Sequence, residues 1–348
     1  MEVKNFITSY KFAKIADIVF SGVFLKTQID SLKIKNYKII QNLNNFVYIR
    51  NLNFEIREND VIFCRTEDVK LLFSLISKLN FKNIRIITHQ SDLDIDYKLY
   101  AKKPKCISQW YSVNINYKSN DLVSIPIGLA NEHPKNLHEN VFSAKKINKN
   151  LYFNKNKKHL LYLNFQQSTN LKSREGLNEV FNNYKWTNVE VPSCNKKNYT
   201  KNLQNTTFVL APYGNGFDTH RVWEALYSGS IPVVEKHITY TYAEDLPMVF
   251  SENLFSLNES LLIEKKSELE KKEFNFKKLD FEYWNQLISE EPSINTHSQQ
   301  IVNKGIRTFI FEINYLVKYK INSKKKKFLY YLRKLKNLKK SYLMVFKK

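Results

Sequence analysis

Short apolar runs alternate with amphipathic stretches over most of the chain. Asp60–Cys64 (DVIFC) is a compact apolar run, Val69–Leu79 carries apolar residues at helical spacing, and Asn83–Thr88 (NIRIIT) is a second run. Strand, helix, strand at this spacing predicts a βαβ unit with parallel strands. His89, Gln90, Ser91 and Asp92 follow the second strand directly, at the carboxyl end where open α/β sheets bind ligands. Leu122–Leu129 (LVSIPIGL) predicts a further strand. The polar stretch Asn131–Lys158 lacks sustained periodicity and predicts a connection. The alternation then resumes with strands at His159–Phe165, Trp186–Val191, Thr207–Leu210 and Ser230–Val234. Helices are predicted at Ser173–Tyr184 with Ser173 as N-cap, at Tyr199–Gln204 and at Asp218–Tyr227. Beyond Leu257 the pattern is helical: Glu259–Glu273, Phe276–Ile288 and Ser298–Lys318. The predicted fold is α/β, with two doubly wound, Rossmann-like domains facing a cleft and a helical C-terminal segment. The predicted divisions are residues 1–150, 151–275, 276–317 and 318–348.

Charge changes this picture at the C-terminus. The chain has 348 residues and a net charge of +22, which implies an anionic partner. Lys318–Lys348 holds 12 lysines and one arginine and no acid. Phe328, Tyr331, Leu332, Leu335, Leu338, Tyr342 and Val345 recur mostly at three- and four-residue steps. That is an apolar stripe on a basic helix, the pattern of a segment lying on an anionic membrane surface. The same tail, with Phe328, Tyr330 and Tyr331 among its lysines, also fits a phosphate-tracking arm for nucleic acid. No nucleic-acid fold motif accompanies it, so no nucleic-acid partner is expected. The three cysteines, Cys64, Cys106 and Cys194, fit neither a disulfide framework nor a zinc site and point to a reducing compartment. The N-terminal apolar stretch is interrupted by Lys14 and Asp17 and is too short to span a bilayer. The expected location is cytoplasmic, with peripheral membrane association.

Candidate chemistry concentrates in one segment. The chain has seven glycines, and Gly214, Gly216 and Gly229 fall close together. Pro212-Tyr-Gly-Asn-Gly joins a predicted strand to a predicted helix, so the backbone can turn tightly and approach a ligand. The helix amino terminus, with His220 and Arg221 in its first turn, suits phosphate oxygens. Glu224 lies one turn on from Arg221, where a carboxylate can accept hydrogen bonds from sugar hydroxyls. Asp218 is placed as the helix N-cap, and Trp223 as core. Taken alone, these residues also fit a common turn followed by a surface ion pair. Neither GxxxxGK[ST] nor GxGxxG is present.

The whole run Phe208–Val234 (FVLAPYGNGFDTHRVWEALYSGSIPVV) resembles the signature of exostosin-like glycosyltransferases. Phe208, Leu210, Pro212, Gly214, Asn215, Gly216, Asp218, Arg221, Trp223, Glu224, Ala225, Leu226, Gly229, Ile231, Pro232, Val233 and Val234 carry the resemblance. Tyr213 stands where relatives often carry arginine. Asn164 with Arg174, and in the first half Thr88–Asp92, Trp110, Asn114 and Ile125–Leu129, extend it more weakly. The resemblance implies a GT-B fold and transfer of a sugar from a nucleotide donor to a hydroxyl of a glycan or glycolipid. A fucosyltransferase-like GT-B enzyme is the neighbouring alternative. Donor-binding residues are then Asn164, Arg174, Tyr213, Gly214, Asn215, Gly216, Asp218, His220, Arg221 and Glu224. Trp110 and Asn114 fall on the acceptor side. Asp92 and His89 are the candidate bases for an inverting displacement. No cofactor or metal is expected: the triplets within Asp92-Leu-Asp94-Ile-Asp96 sit in the acceptor half and read as loop carboxylates.

Overall fold

Central strands of a parallel sheet are covered on both faces and need unbroken apolar runs. The runs at β6 (Val61–Arg65), β7 (Ile84–His89), β12 (Thr206–Leu210) and β13 (Ile231–Glu235) meet that need, and β7 and β12 are buried at every residue. The structure, a computed structural model, describes residues 5–34, 36–130, 147–190, 192, 195–289 and 299–302. In the first half, β1 (Ile18–Val19), β6, β7, β8 (Ile107–Ser112) and β9 (Leu122–Ser124) form one parallel sheet in the order β1-β6-β7-β8-β9. In the second half, β10 (His159–Leu163), β11 (Thr187–Val189), β12, β13 and β14 (Val249–Ser251) form another, in the order β11-β10-β12-β13-β14. Strand order reverses only in this second sheet, between β10 and β12. The first sheet runs in chain order, so the doubly wound reversal expected of both halves occurs in one.

Elements before residue 60 were not foreseen. β2 (Ser21–Leu25), β3 (Lys38–Leu43) and β4 (Phe46–Arg50) make an antiparallel sheet in the order β2-β4-β3. Its outer strand β3 is almost wholly exposed, so its apolar signal is weak. β5 (Phe54–Arg57) pairs antiparallel with β15 (Gln299–Val302). Residues 299–302 are therefore strand, where helix was expected; residues 303–318 and the basic tail lie outside the described residues.

The helices include α1 (Ser9–Ile15), α2 (Val69–Ile76), α3 (Tyr97–Tyr100), α4 (Lys149–Tyr152), α5 (Leu171–Arg174), α6 (Leu177–Phe181), α7 (Lys196–Gln204), α8 (His220–Ser228), α9 (Glu259–Glu270) and α10 (Phe281–Ser289). Three boundaries differ from expectation for local reasons. The strand expected over Leu122–Leu129 stops at Ser124, ahead of Pro126, which has no N–H for the ladder. The helix expected over Ser173–Tyr184 is broken by Gly176, whose φ is 85°, and Asn170, not Ser173, caps its first piece through the Ser173 amide. The helix expected from Asp218 begins at His220, with Thr219 at the cap position.

One cluster of buried apolar side chains runs through both halves, including Phe63 and Ile87 beneath the first sheet and Leu163, Leu210 and Val233 in the second. Polar ties reinforce it. Ser124 Oγ donates to Thr239 O at 2.6 Å and Thr239 Oγ1 to Ile115 O at 2.9 Å. Tyr227 Oη accepts from the Ile7 amide and donates to Leu279 O. α10 returns to the first half, where Phe281 N donates to Asn5 O and the Arg85 guanidinium to Ile288 O.

The densest tie is Asp218. Its Oδ2 accepts from Ile127 N at 2.9 Å, Tyr242 Oη at 2.8 Å and Trp223 Nε1 at 3.2 Å, and its own amide donates to Asn114 Oδ1 at 2.9 Å. Asp218→Ala orphans three buried donors at about 1–3 kcal/mol each. Urea denaturation is expected to show a loss of several kcal/mol, larger than that of Asp218→Asn, which keeps an acceptor oxygen. Equal stability of Asp218→Ala and the parent would refute the assignment.

Candidate functional site

The reversal between β10 and β12 is where a parallel α/β sheet opens a crevice at its carboxyl edge. Asn164 and Phe165 follow β10, and Pro212–Gly216 follow β12. A pocket of about 300 Å³ lies here, floored by Gly214, Asn215, Gly216 and the head of α8, with Asp92 and Ile127 of the first half on its other wall.

The loop is shaped by close backbone approach. Gly214 N donates to Gly216 O at 3.0 Å and Asn170 Nδ2 to Gly214 O at 2.7 Å. A Cβ on Gly216 would stand 2.6 Å from Asn114 Nδ2, so only glycine lets the two halves meet there. Arg174 is buried beneath the loop. Its Nε donates to Tyr213 O at 2.7 Å, Nη1 to Gln166 O at 3.0 Å and Nη2 to Pro212 O at 3.1 Å. Its guanidinium lies 5.5 Å from the Phe165 ring centre and that of Arg221 lies 5.9 Å from the same centre. Two cations thus share one ring. Burial, and the charge of Arg221, pull Arg174 down to about 10.

At and just before the first turn of α8, three side-chain atoms lack partners. Arg221 Nε, Thr219 Oγ1 and Asp218 Oδ1 are buried and make no hydrogen bond among the described residues, and each of these residues lines the pocket. Buried polar groups in native structures are nearly always satisfied, so these atoms make the pocket a candidate binding place. Glu224 is held from behind, its Oε2 accepting from Tyr199 Oη at 2.6 Å. His220 Nδ1 donates to Gly128 O at 2.7 Å, across to the first half.

The structure brings together Asp92, Arg174, Gly214, Asn215, Gly216, Asp218, His220, Arg221 and Glu224. It places five expected site residues elsewhere. His89 is 1% exposed. The Gln90 amide donates to its Nδ1 at 2.8 Å, and its Nε2 donates to Pro126 O at 3.2 Å. With Phe12 and Phe63 against its ring, burial lowers its pKa to about 3. It is a neutral packing histidine that anchors the Pro126 loop, with no free nitrogen to act as a base. Trp110 is buried and donates to Thr88 Oγ1 at 2.7 Å. Asn114 is buried with a left-handed φ of 55° and bridges Ser91 O to the Asp218 amide. Tyr213 turns its hydroxyl to Glu235 O and its ring edge to Phe217. Asn164 is buried against Tyr162 Oη. Sequence reasoning missed Thr219 and Ile127, which line the pocket, and Asn170 and Tyr199, which support it. Asn170 was legible as an Asx cap before a short helix.

Residues 149–287 match the family described as the RXYLT1 C-terminal domain. The match points to a glycosyltransferase. It spans less than half of the chain and includes every pocket residue except Asp92 and Ile127. A comparison with curated proteins finds no match. Among the described residues, no helix is long and apolar enough to cross a membrane.

His89 gives the first half a pH signature. A histidine held neutral by burial contributes stability that is present above the ordinary value of 6.5 and is lost as pH falls toward about 3. Chemical denaturation across that range is expected to show a steep acid limb in the parent and a shallower one in His89→Gln. Identical limbs would contradict the buried neutral assignment.

Proposed function

We propose that the chain is a GT-B-type glycosyltransferase that moves a sugar from a nucleotide-sugar donor to a hydroxyl of a glycan or glycolipid. The observation that carries this reading is the pair Arg174 and Arg221, converging on Phe165 at the mouth of α8 with no ion pair to either among the described residues. Two like charges in a half-buried site are costly unless an anion joins them. A diphosphate has the charge to offset both cations and the oxygens to accept from Arg221 and the N–H groups of the helix terminus, while Arg174 holds the loop beneath it. Glu224, fixed by Tyr199, then accepts from donor hydroxyls.

In this mechanism the leaving diphosphate departs toward Arg174, Arg221 and α8, which stabilise its growing charge without a bound metal. Asp92 faces the same pocket from the opposite half. It removes the acceptor proton as the hydroxyl oxygen attacks the anomeric carbon from the side away from the diphosphate, which inverts that centre. Support for the sugar-transfer class comes from the family match, and the proposal takes in both hexosyl and pentosyl donors. Calorimetry with uridine, guanosine and cytidine diphosphates, paired with turnover, tests the scheme. Arg221→Ala is expected to weaken the best nucleotide by about ten- to a hundredfold, the worth of a charge-assisted pair. Asp92→Asn is expected to keep that affinity and lose turnover. Unchanged affinity in Arg221→Ala, or full turnover in Asp92→Asn, would count against the respective role.

The basic tail Lys318–Lys348, with its apolar stripe, completes the proposal by holding the enzyme on an anionic membrane surface on the cytoplasmic side, at roughly 1 kcal/mol per basic residue near the surface. Truncation after Val317 is expected to release the protein from phosphatidylserine vesicles in cosedimentation while leaving nucleotide affinity intact. Equal pelleting of both forms would remove the tail from this role.

A further inference from the structure

With Trp110 and Asn114 buried, the acceptor side of the cleft has no assigned surface beyond Asp92. The segment that continues from Asp92 supplies one. Ile95 bridges to Ile115, Asn116 Nδ2 donates to Asp94 Oδ2 at 2.8 Å, and Asp96 caps α3 by accepting from Leu99 N at 2.7 Å. These bonds hold Asp92–Tyr97 as a fixed lip of the first half. The lip adjoins the second half: Ile115, which Ile95 bridges, accepts through its carbonyl from Thr239 Oγ1 at 2.9 Å.

Two large apolar side chains stand out from this lip, Leu93 at 50% and Tyr97 at 65% exposure. Tyr97 is exposed and yet fixed. Its ring packs on Tyr117 at 5.2 Å, Tyr117 on Tyr100 at 4.8 Å, and Tyr100 stacks at 15° over buried Trp110. Tyr100 Oη in turn donates to Asp121 at 2.5 Å. The exposed ring is thus the outer end of an aromatic ladder rooted in the core. Ordering it costs little further entropy when a ligand arrives.

A flat aromatic face beside carboxylates has a distinct complement. Sugar rings offer a face of C–H groups to the negative face of an aromatic ring, and hydroxyl donors around their rim to carboxylates. Nucleic acid would bring phosphates against Asp92, Asp94 and Asp96, and like charges repel. We propose that Tyr97, with Leu93 and Tyr117, is a stacking platform for a neutral sugar ring of the acceptor, with Asp94 accepting from its hydroxyls. The platform lies within roughly 18 Å of Asp92 along the chain, so the acceptor it suits is an oligosaccharide whose reacting end sits at Asp92. This inference rests on the sugar-transfer reading of the pocket.

The test uses the full chain and saturation-transfer NMR with neutral xylo-, gluco- and galacto-oligosaccharides, alongside calorimetry with the nucleoside diphosphates. At least one oligosaccharide is expected to bind the parent. Tyr97→Ala is expected to weaken it about three- to tenfold, the worth of an aromatic contact; Tyr97→Phe should retain it, and nucleotide affinity should not move in either. Equal oligosaccharide affinity in Tyr97→Ala overturns the platform, as does failure of every neutral oligosaccharide to bind a chain that binds a nucleoside diphosphate. A chain that binds oligosaccharide through Tyr97 but no nucleoside diphosphate would instead overturn the donor reading alone.

Discussion

The geometry of the cleft depends on one buried carboxylate. Asp218 opens the turn into α8, yet its three hydrogen-bond donors come from the first-half loop at Ile127, from the helix at Trp223 and from the segment beyond β13 at Tyr242. Burial raises its pKa, which is the cost of taking a carboxylate out of water. The donors offset that cost, and the offset exists only when both halves are in register. Asn114 closes the arrangement by accepting from the Asp218 amide while lying against Gly216. The phosphate-shaped loop and the wall that carries Asp92 are therefore positioned by the same residues that join the sheets.

A second constraint acts against the first. Arg174 and Arg221 sit on one phenylalanine ring with no carboxylate between them, and Arg174 is already pulled down to about 10. Left to stability alone, a nearby acid would be the simpler solution. Glu224 is close enough to line the same pocket but is turned to Tyr199, and Glu235 takes Ser173. The pair, with no ion pair to either arginine among the described residues, concentrates positive potential at the helix terminus, where an anion gains most from it.

Much of this was legible in the sequence, for identifiable reasons. The buried parallel strands announce themselves as unbroken apolar runs, and a glycine-poor chain that spends Gly214 and Gly216 on one loop advertises a close approach. The strand order was not legible, because the runs at β10 and β12 look alike whichever side their neighbours take. The antiparallel sheet of β2, β3 and β4 was hidden by an exposed outer strand and an asparagine-rich hairpin. Asp218 was misplaced for a sound local reason: aspartate before a helix usually caps it. Here the cap position passes to Thr219, and the carboxylate serves partners 24 and 91 residues away, which no local pattern encodes.

His89 and Asp92 show the same limit at the end of β7. Both follow a strand whose carboxyl edge meets the cleft, and position alone made both candidates for proton removal. Inside the structure three residues separate opposite chemistries. His89 still belongs to the strand, with both ring nitrogens engaged by backbone and two phenylalanines around it. Gln90, at a left-handed φ of 58°, turns the chain and pins it to Val23 through its side chain. Only after that turn does a side chain reach the pocket, and it is that of Asp92. Which of the two side chains reaches the cleft is thus set by where the backbone leaves the sheet, not by which residue has the more suitable ordinary pKa.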